Sequence, residues 1–241
     1  MSLLESIIYG FVSAIAEFLP ISSRAHQILI RYIFGLDTRD PVQDLLVHIG
    51  LIFSVFISFR DVIFHFRRYR KLKRRGKRKH QFLEGKNAYD FRLIKTASLP
   101  LILGLLLSFA TQALSDNLLY LLVFLTLNAV ILFIAEHSSR GNRDSRTMSA
   151  LDGFVMGVLG SLSVFPGISR TGIIASYATA RGADSQNASS WAVLIGIPAL
   201  FFGLCGIFKG ERIKESFKLG CFGFCVILFI ILSIIIRNLF T

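Results

Sequence analysis

Apolar residues in this chain run in long blocks separated by short polar ones, with no strand-like alternation. Three blocks, 43–66, 93–114 and 118–136, can cross the roughly 30 Å hydrocarbon core of a bilayer as helices. Blocks 189–207 and 219–238 add two more. Two further blocks are apolar at their flanks and broken in the middle. Residues 3–35 carry Glu17, Pro20, Ser22, Ser23, Arg24 and His26 at their centre, and 151–182 carry Pro166, Gly167, Ser169, Arg170 and Thr171. Breakers and charges at that density survive at membrane depth only where protein or a water-filled cavity covers them. Both blocks are therefore expected to be re-entrant helix hairpins that enter and leave on one side. The pattern predicts an all-α integral membrane protein, one polytopic domain over 1–241 with about five transmembrane helices.

The two breaks resemble each other. Pro20-Ile21-Ser22-Ser23-Arg24 and Pro166-Gly167-Ile168-Ser169-Arg170 share the pattern P-x-x-S-R at an offset of 146, and Ile49-Gly50 matches Ile195-Gly196 in the same register. This predicts an internal repeat, with one half about 1–114, the other about 150–241, and 118–136 as the linking span. A single linking span inverts the second half relative to the first. Inverted repeats with broken helices meeting near the midplane are a recurrent way to build a polar site inside a membrane.

Composition agrees with a membrane protein: 53% of residues are apolar and only 17% charged, below the ~25% of soluble domains. The formal charge of +12 is local, because ten of the 27 basic groups lie between Arg67 and Lys79 and the remainder nearly balances the acids. A nucleic-acid-binding face is a poor reading of that distribution. By the positive-inside rule 67–92 is cytoplasmic, as is the loop bearing Arg140, Arg143 and Arg146. The first hairpin then enters from the outer side and the second from the cytoplasm. The loop 208–218 falls outside, with Lys209, Arg212, Lys214 and Lys218 against Glu211 and Glu215. Glu5 and the lack of a basic leader argue against a cleavable signal at the N-terminus. Cys205, Cys221 and Cys225 lie in or beside apolar segments without metal-type spacing, and the 23 phenylalanines read as lipid-facing filling.

Candidate chemistry concentrates at the breaks. Ser22 or Ser23 can cap one new helix and Ser169 the other, leaving backbone N–H groups for a ligand. Two helix N-termini plus arginine form a cradle for an anion, phosphate above all. A buried Arg170 marks a site by default, or else pairs with Glu17 and locks the hairpins together. Glu17, among apolar neighbours, can hold a divalent cation or act as a base. Ser23 and His26 at i, i+3 suit a base-activated nucleophile. Asp44 and His48 share a helix face at i, i+4, where a second carboxylate or a satisfied polar pair fits equally. Asp37, Asp40, Asp116, Glu136, His137 and His65 flank segment ends, where solvated charge is expected.

On these residues the sequence resembles the undecaprenyl-diphosphate phosphatase family, the bacitracin-resistance membrane phosphatases. Glu17-Phe18-Leu19-Pro20-Ile21-Ser22-Ser23 through His26 is similar to its E-F-L-P-[IV]-S-S-T-G-H motif. Pro166-Gly167-Ile168-Ser169-Arg170-Thr171-Gly172 is similar to its P-G-x-S-R-S-G motif. The resemblance implies an inverted-repeat fold in the bacterial cytoplasmic (inner) membrane, with the site open to the exterior. It implies hydrolysis of undecaprenyl diphosphate with a divalent cation, Mg²⁺ or Ca²⁺, recycling the carrier lipid for cell-wall synthesis. It makes Glu17 a metal ligand or activating base, Ser23 and His26 the attacking and proton-transferring pair, and Arg170 catalytic. Ser22, Arg24, Gly167, Ser169 and Thr171 would contact the diphosphate. The expected partners are a lipid diphosphate and membrane lipids, no nucleic acid, and a second copy of the chain as a candidate assembly.

The chain departs from the family pattern at named positions. Ser13 stands where the family has an acid four residues before the retained Glu17, Arg24-Ala25 replaces Thr-Gly before His26, and Ile174 replaces a Thr after the second motif. Family members also carry a further apolar C-terminal segment. Two other functions share the cradle: a carrier or flippase for a phosphorylated lipid, and a phosphatase for another phosphorylated lipid.

Overall fold

The computed structural model describes residues 3–35, 41–60, 86–106, 117–138 and 141–208. The basic run 67–79, Asp37, Asp40 and Asp116, the loop 209–218, the block 219–238, and Cys221 and Cys225 lie outside the described residues. Eight α-helices occur among the described residues: α1 Leu3–Phe18, α2 Ser23–Ile33, α3 Pro41–Ser58, α4 Lys86–Leu106, α5 Leu118–Glu136, α6 Ala150–Ser161, α7 Arg170–Ala180 and α8 Ser185–Phe208. A 3-10 turn, Leu162–Val164, extends α6, and no named strand occurs among these residues. The all-helical expectation is met.

The hydropathy blocks and the helices do not coincide throughout. The block 43–66 corresponds to Pro41–Ser58, and 93–114 to a helix that starts earlier, at Lys86. Backbone hydrogen bonding continues a helix through polar stretches such as 86–92, ahead of the apolar block that hydropathy marks, and 61–66 and 107–114 lie outside the described residues. Among the described residues one helix, α5, is long and apolar enough to cross a membrane. Its buried residues, Leu121, Asn128 and Ala135, recur every seven positions and form one narrow stripe. Leu119, Leu122, Val123, Leu127, Val130, Phe133 and Ile134 are exposed around the rest. Asn117 caps its start, accepting the Leu119 N–H at 2.9 Å.

Both broken blocks fold as helix pairs. At about 1.5 Å per residue, the 11-residue α2 and α7 each rise about 16 Å, half of a ~30 Å hydrocarbon core. In the first pair a ladder of polar contacts runs antiparallel between α1 and α2. Ser23 meets Glu17, Gln27 meets Ser13 at 3.0 Å, and Arg31 meets the Tyr9 hydroxyl, each rung one turn further from the break. The Arg31 guanidinium also lies 5.1 Å from the Tyr9 ring centroid. In the second pair the latch is at the open end. Asp152 on α6, buried, accepts from the Ser149 N–H, the Tyr177 hydroxyl at 3.0 Å and Arg181 Nε at 2.9 Å. The first turn of α6 and the end of α7 are thus adjacent, so the chain returns alongside itself.

Apolar packing follows two clusters. Tyr9, Ala14, Ile30, Val47, Leu51 and Val55 join α1, α2 and α3. Leu93, Leu101, Met156, Ile174, Trp191 and Ile195 join α4, α6, α7 and α8. Close approach of α4 and α6 depends on Gly157, where any Cβ would collide with the Ala97 carbonyl; small residues are the usual means of bringing membrane helices together. The third helices of the two series, α3 and α8, pack against each other.

The Ser13 hydroxyl is fully buried and its partner is the Gln27 amide. Gln27→Leu should leave that hydroxyl unpaired and destabilise the protein by about 1–2 kcal/mol, whereas adding Ser13→Ala should restore most of the loss. Thermal unfolding of the three variants in detergent or nanodiscs checks this; equal melting of the single and double variants would contradict it.

Candidate active site between two helix breaks

Each break is built by its own capping serine. After α1 ends, Pro20 interrupts the chain and Ser22, in extended conformation, caps α2 by accepting the Ala25 N–H at 3.3 Å. Because Ser22 takes the capping task, the hydroxyl of Ser23 is released from the backbone. It donates instead to Glu17 Oε2 at 2.5 Å. In the second break Ser169 is itself the cap, accepting the Gly172 N–H at 3.1 Å, and its hydroxyl lies 3.2 Å from that of Thr171. Equivalent serines of the sequence repeat thus have different tasks.

Arg170, the first residue of α7, reaches across to the other hairpin, its Nη2 donating to Glu17 Oε1 at 2.9 Å. One carboxylate therefore holds a hydroxyl on one oxygen and a guanidinium on the other. The pair is largely withdrawn from solvent, with side chains 20% and 15% exposed. Arg170 Nε is buried and has no protein partner. It lies against α8 at Gly196, where an added Cβ would approach it to 3.0 Å. The pairing of Arg170 with Glu17 considered from sequence is made.

The backbones of the two breaks also touch. Gly172 faces the Pro20 carbonyl, which a Cβ there would approach to 2.7 Å. Asn128 of α5 bridges them: its Oδ1 accepts the Ser169 N–H at 2.9 Å and its Nδ2 donates to the Pro20 carbonyl at 3.4 Å. Sequence reasoning missed Asn128. The available signal was an amide in mid-span among apolar residues, which within a membrane implies a protein-facing partner.

Other expected residues fall as follows. His26 does not meet Ser23; its Nδ1 is 2.7 Å from the Ser22 carbonyl, one turn back in the same helix. The Ser23–His26 approach suggested by their spacing is replaced by Ser23–Glu17. Arg24 is half-buried in the first turn of α2 beside Ser23. Gly167 adopts φ 109° and packs on α5, where a Cβ would come within 2.6 Å of the Leu125 N. Turn geometry and close packing account for this glycine, and it faces α5. His48 is half-buried on α3, and the side chain of Asp44 lies outside the described residues, as does that of Cys205.

Cation binding can be judged from the donors. Both oxygens of Glu17 are engaged, and Ser13, one turn earlier on α1, forms a neutral pair with Gln27. No group of three His, Cys, Asp or Glu suited to a metal occurs among the described residues. A Ca²⁺ site needs about six to eight oxygens, several of them carboxylate. The described donors do not fit a divalent cation held by the protein alone.

These features define a helical protein whose buried carboxylate, hydroxyl and guanidinium meet where two broken helices converge. The chain belongs to the family described as Bacitracin resistance protein BacA, whose model matches residues 6–240. It is 30% identical over 212 residues to a protein of Prochlorococcus marinus (strain MIT 9215) named undecaprenyl-diphosphatase, covering 83% of this chain and 74% of that one. Proteins of the same name from Methanosphaera stadtmanae and Desulforudis audaxviator are 30% identical over 217 residues and 28% over 240. Those alignments cover 83% and 96% of this chain, and 75% and 88% of the relatives.

Without lipid present, millimolar Mg²⁺ or Ca²⁺ should leave the melting temperature of the purified protein unchanged, because binding confined to the native state would raise it. A rise of several degrees, saturating with cation and lost in Glu17→Gln, would overturn the assessment of the donor set.

Proposed function

We propose that this chain is a membrane phosphatase that hydrolyses undecaprenyl diphosphate to the monophosphate, returning the carrier lipid to cell-envelope synthesis. Its family membership and the shared name of its relatives support the substrate. The observation that carries the chemistry is the single carboxylate of Glu17 joined to both Ser23 and Arg170.

Ser23 Oγ attacks the terminal phosphorus while Glu17 Oε2 takes the hydroxyl proton. The bond from that phosphorus to the bridging oxygen breaks, releasing undecaprenyl monophosphate and leaving the phosphoryl group on Ser23. Water then attacks the same phosphorus, the bond to Ser23 Oγ breaks and Glu17 returns its proton to that oxygen, regenerating Ser23 and yielding inorganic phosphate. His26, its Nδ1 anchored on the Ser22 carbonyl, uses Nε2 as the base for that water. Arg170 exchanges its Glu17 contact for the diphosphate, where a planar fork matches phosphate oxygens. Ser169 takes the Gly172 N–H, so the Arg170 and Thr171 N–H groups at the start of α7 remain for the anion. Phosphoryl transfer depends mostly on positioning and charge stabilisation, and those are what these groups supply.

The same reading places the chain as one polytopic domain over 1–241 in the cytoplasmic membrane, with about five spans and the site open to the exterior. Recurrence of α1, α2 and α3 as α6, α7 and α8, with P-x-x-S-R at both breaks, supports an inverted repeat.

Phosphate release from undecaprenyl diphosphate by the protein in nanodiscs tests the proposal. Ser23→Ala and Glu17→Gln should each lower kcat by about 10²–10⁴-fold. Arg170→Lys should raise KM and lower kcat together. Phosphate release by Ser23→Ala at the wild-type rate would contradict the role of Ser23. Lipid translocation without any phosphate release would favour a carrier, and release from other lipid phosphates alone would reassign the substrate.

A further inference from the structure

The amide of Asn128 hydrogen-bonds to neither Ser23 nor Arg170, yet it is shared between the two segments that present them. It sits in the buried stripe of α5, 2% exposed. On one side it holds the N–H of Ser169, the residue that caps α7 and precedes Arg170. On the other it holds the carbonyl of Pro20, three residues before Ser23. Gly172 abuts that same carbonyl, so the breaks are already as close as backbone allows.

We propose that Asn128 is a positioning residue for phosphoryl transfer, setting the separation and register between the Ser23–Glu17 pair and the phosphate-binding start of α7. The inference rests on the proposed hydrolysis. The task requires a neutral side chain offering one acceptor and one donor through adjacent atoms. A leucine would leave an N–H and a carbonyl buried and unpaired. An ionised carboxylate could accept from Ser169 but would face the Pro20 oxygen with a second acceptor. Thr126 cannot substitute, because its hydroxyl donates to its own Leu122 carbonyl at 2.9 Å. Since Arg170 and the α7 amides are still available to the anion, losing Asn128 affects alignment more than binding. Small misplacements of a reacting pair are enough to slow chemistry about 10²-fold.

The test compares wild type, Asn128→Leu and Asn128→Asp in nanodiscs, with undecaprenyl diphosphate as substrate and folding monitored by thermal unfolding. Asn128→Leu should lose about 10–100-fold in kcat with KM within about threefold of wild type. Asn128→Asp should retain activity at acid pH, where the protonated carboxyl offers one donor and one acceptor. Its kcat should then fall, relative to wild type, as pH rises and the new carboxyl ionises. A folded Asn128→Leu with wild-type kcat, or an Asn128→Asp profile parallel to wild type, would overturn the proposal. If the wild type itself releases no phosphate, the functional reading fails, and hydrogen exchange at the Ser169 amide still tests the contact. That exchange should accelerate at least tenfold in Asn128→Leu, and an unchanged rate would refute the positioning role.

Discussion

The structure depends on how one carboxylate is shared. Glu17 closes the end of α1 and is joined through its two oxygens to Ser23, six residues on, and to Arg170, 153 residues on. The first contact folds hairpin one around its break, and the second ties hairpin two to it. A charge withdrawn this far from water must be paired, and removing one partner of such a pair destabilises by about 3 kcal/mol or more. On the proposed mechanism the same pairing holds Glu17 oriented towards Ser23 until a more highly charged anion competes for the guanidinium.

Backbone chemistry explains why the shared carboxylate has these partners. The first break assigns capping to Ser22 and thereby frees Ser23; the second assigns capping to Ser169. A repeat that looks symmetric in sequence becomes asymmetric in its contacts, with a serine hydroxyl paired to a carboxylate on one side and a capping serine on the other. Pro20 follows the end of α1, Gly167 turns the chain against α5, Gly172 lets the breaks touch, and Asn128 satisfies one polar group from each. Polar groups left unpaired in such surroundings would be expensive, so these contacts form a single constraint.

Much of this was legible in the chain. The density of breakers and charges in 3–35 and 151–182 located both helix breaks, and the P-x-x-S-R pattern singled out Ser23, Ser169 and Arg170 as candidates. The partner of Ser23 was not legible, because i, i+3 spacing only permits an approach to His26; in the structure the Ser23 hydroxyl donates to Glu17 and His26 Nδ1 lies at the Ser22 carbonyl. Asn128 escaped for a different reason. Its partners lie 41 and 108 residues away, and hydropathy reads its helix as uniformly lipid-facing. Gly167 was readable as special but not as to cause: positive φ and contact with α5 explain it. The acid missing at Ser13 acquires meaning only with Gln27 opposite it, since a neutral pair there leaves Glu17 as the one carboxylate in the described site.

If Glu17 prepares Ser23 to attack phosphorus while Arg170 receives the charge, removing the proposed base of the second step should trap the intermediate. Acid quenching of His26→Ala during turnover of undecaprenyl diphosphate labelled with ³²P in the terminal phosphate should then show label accumulating on the peptide that contains Ser23. Labelled inorganic phosphate released in a first turnover, with none bound to that peptide, would contradict it.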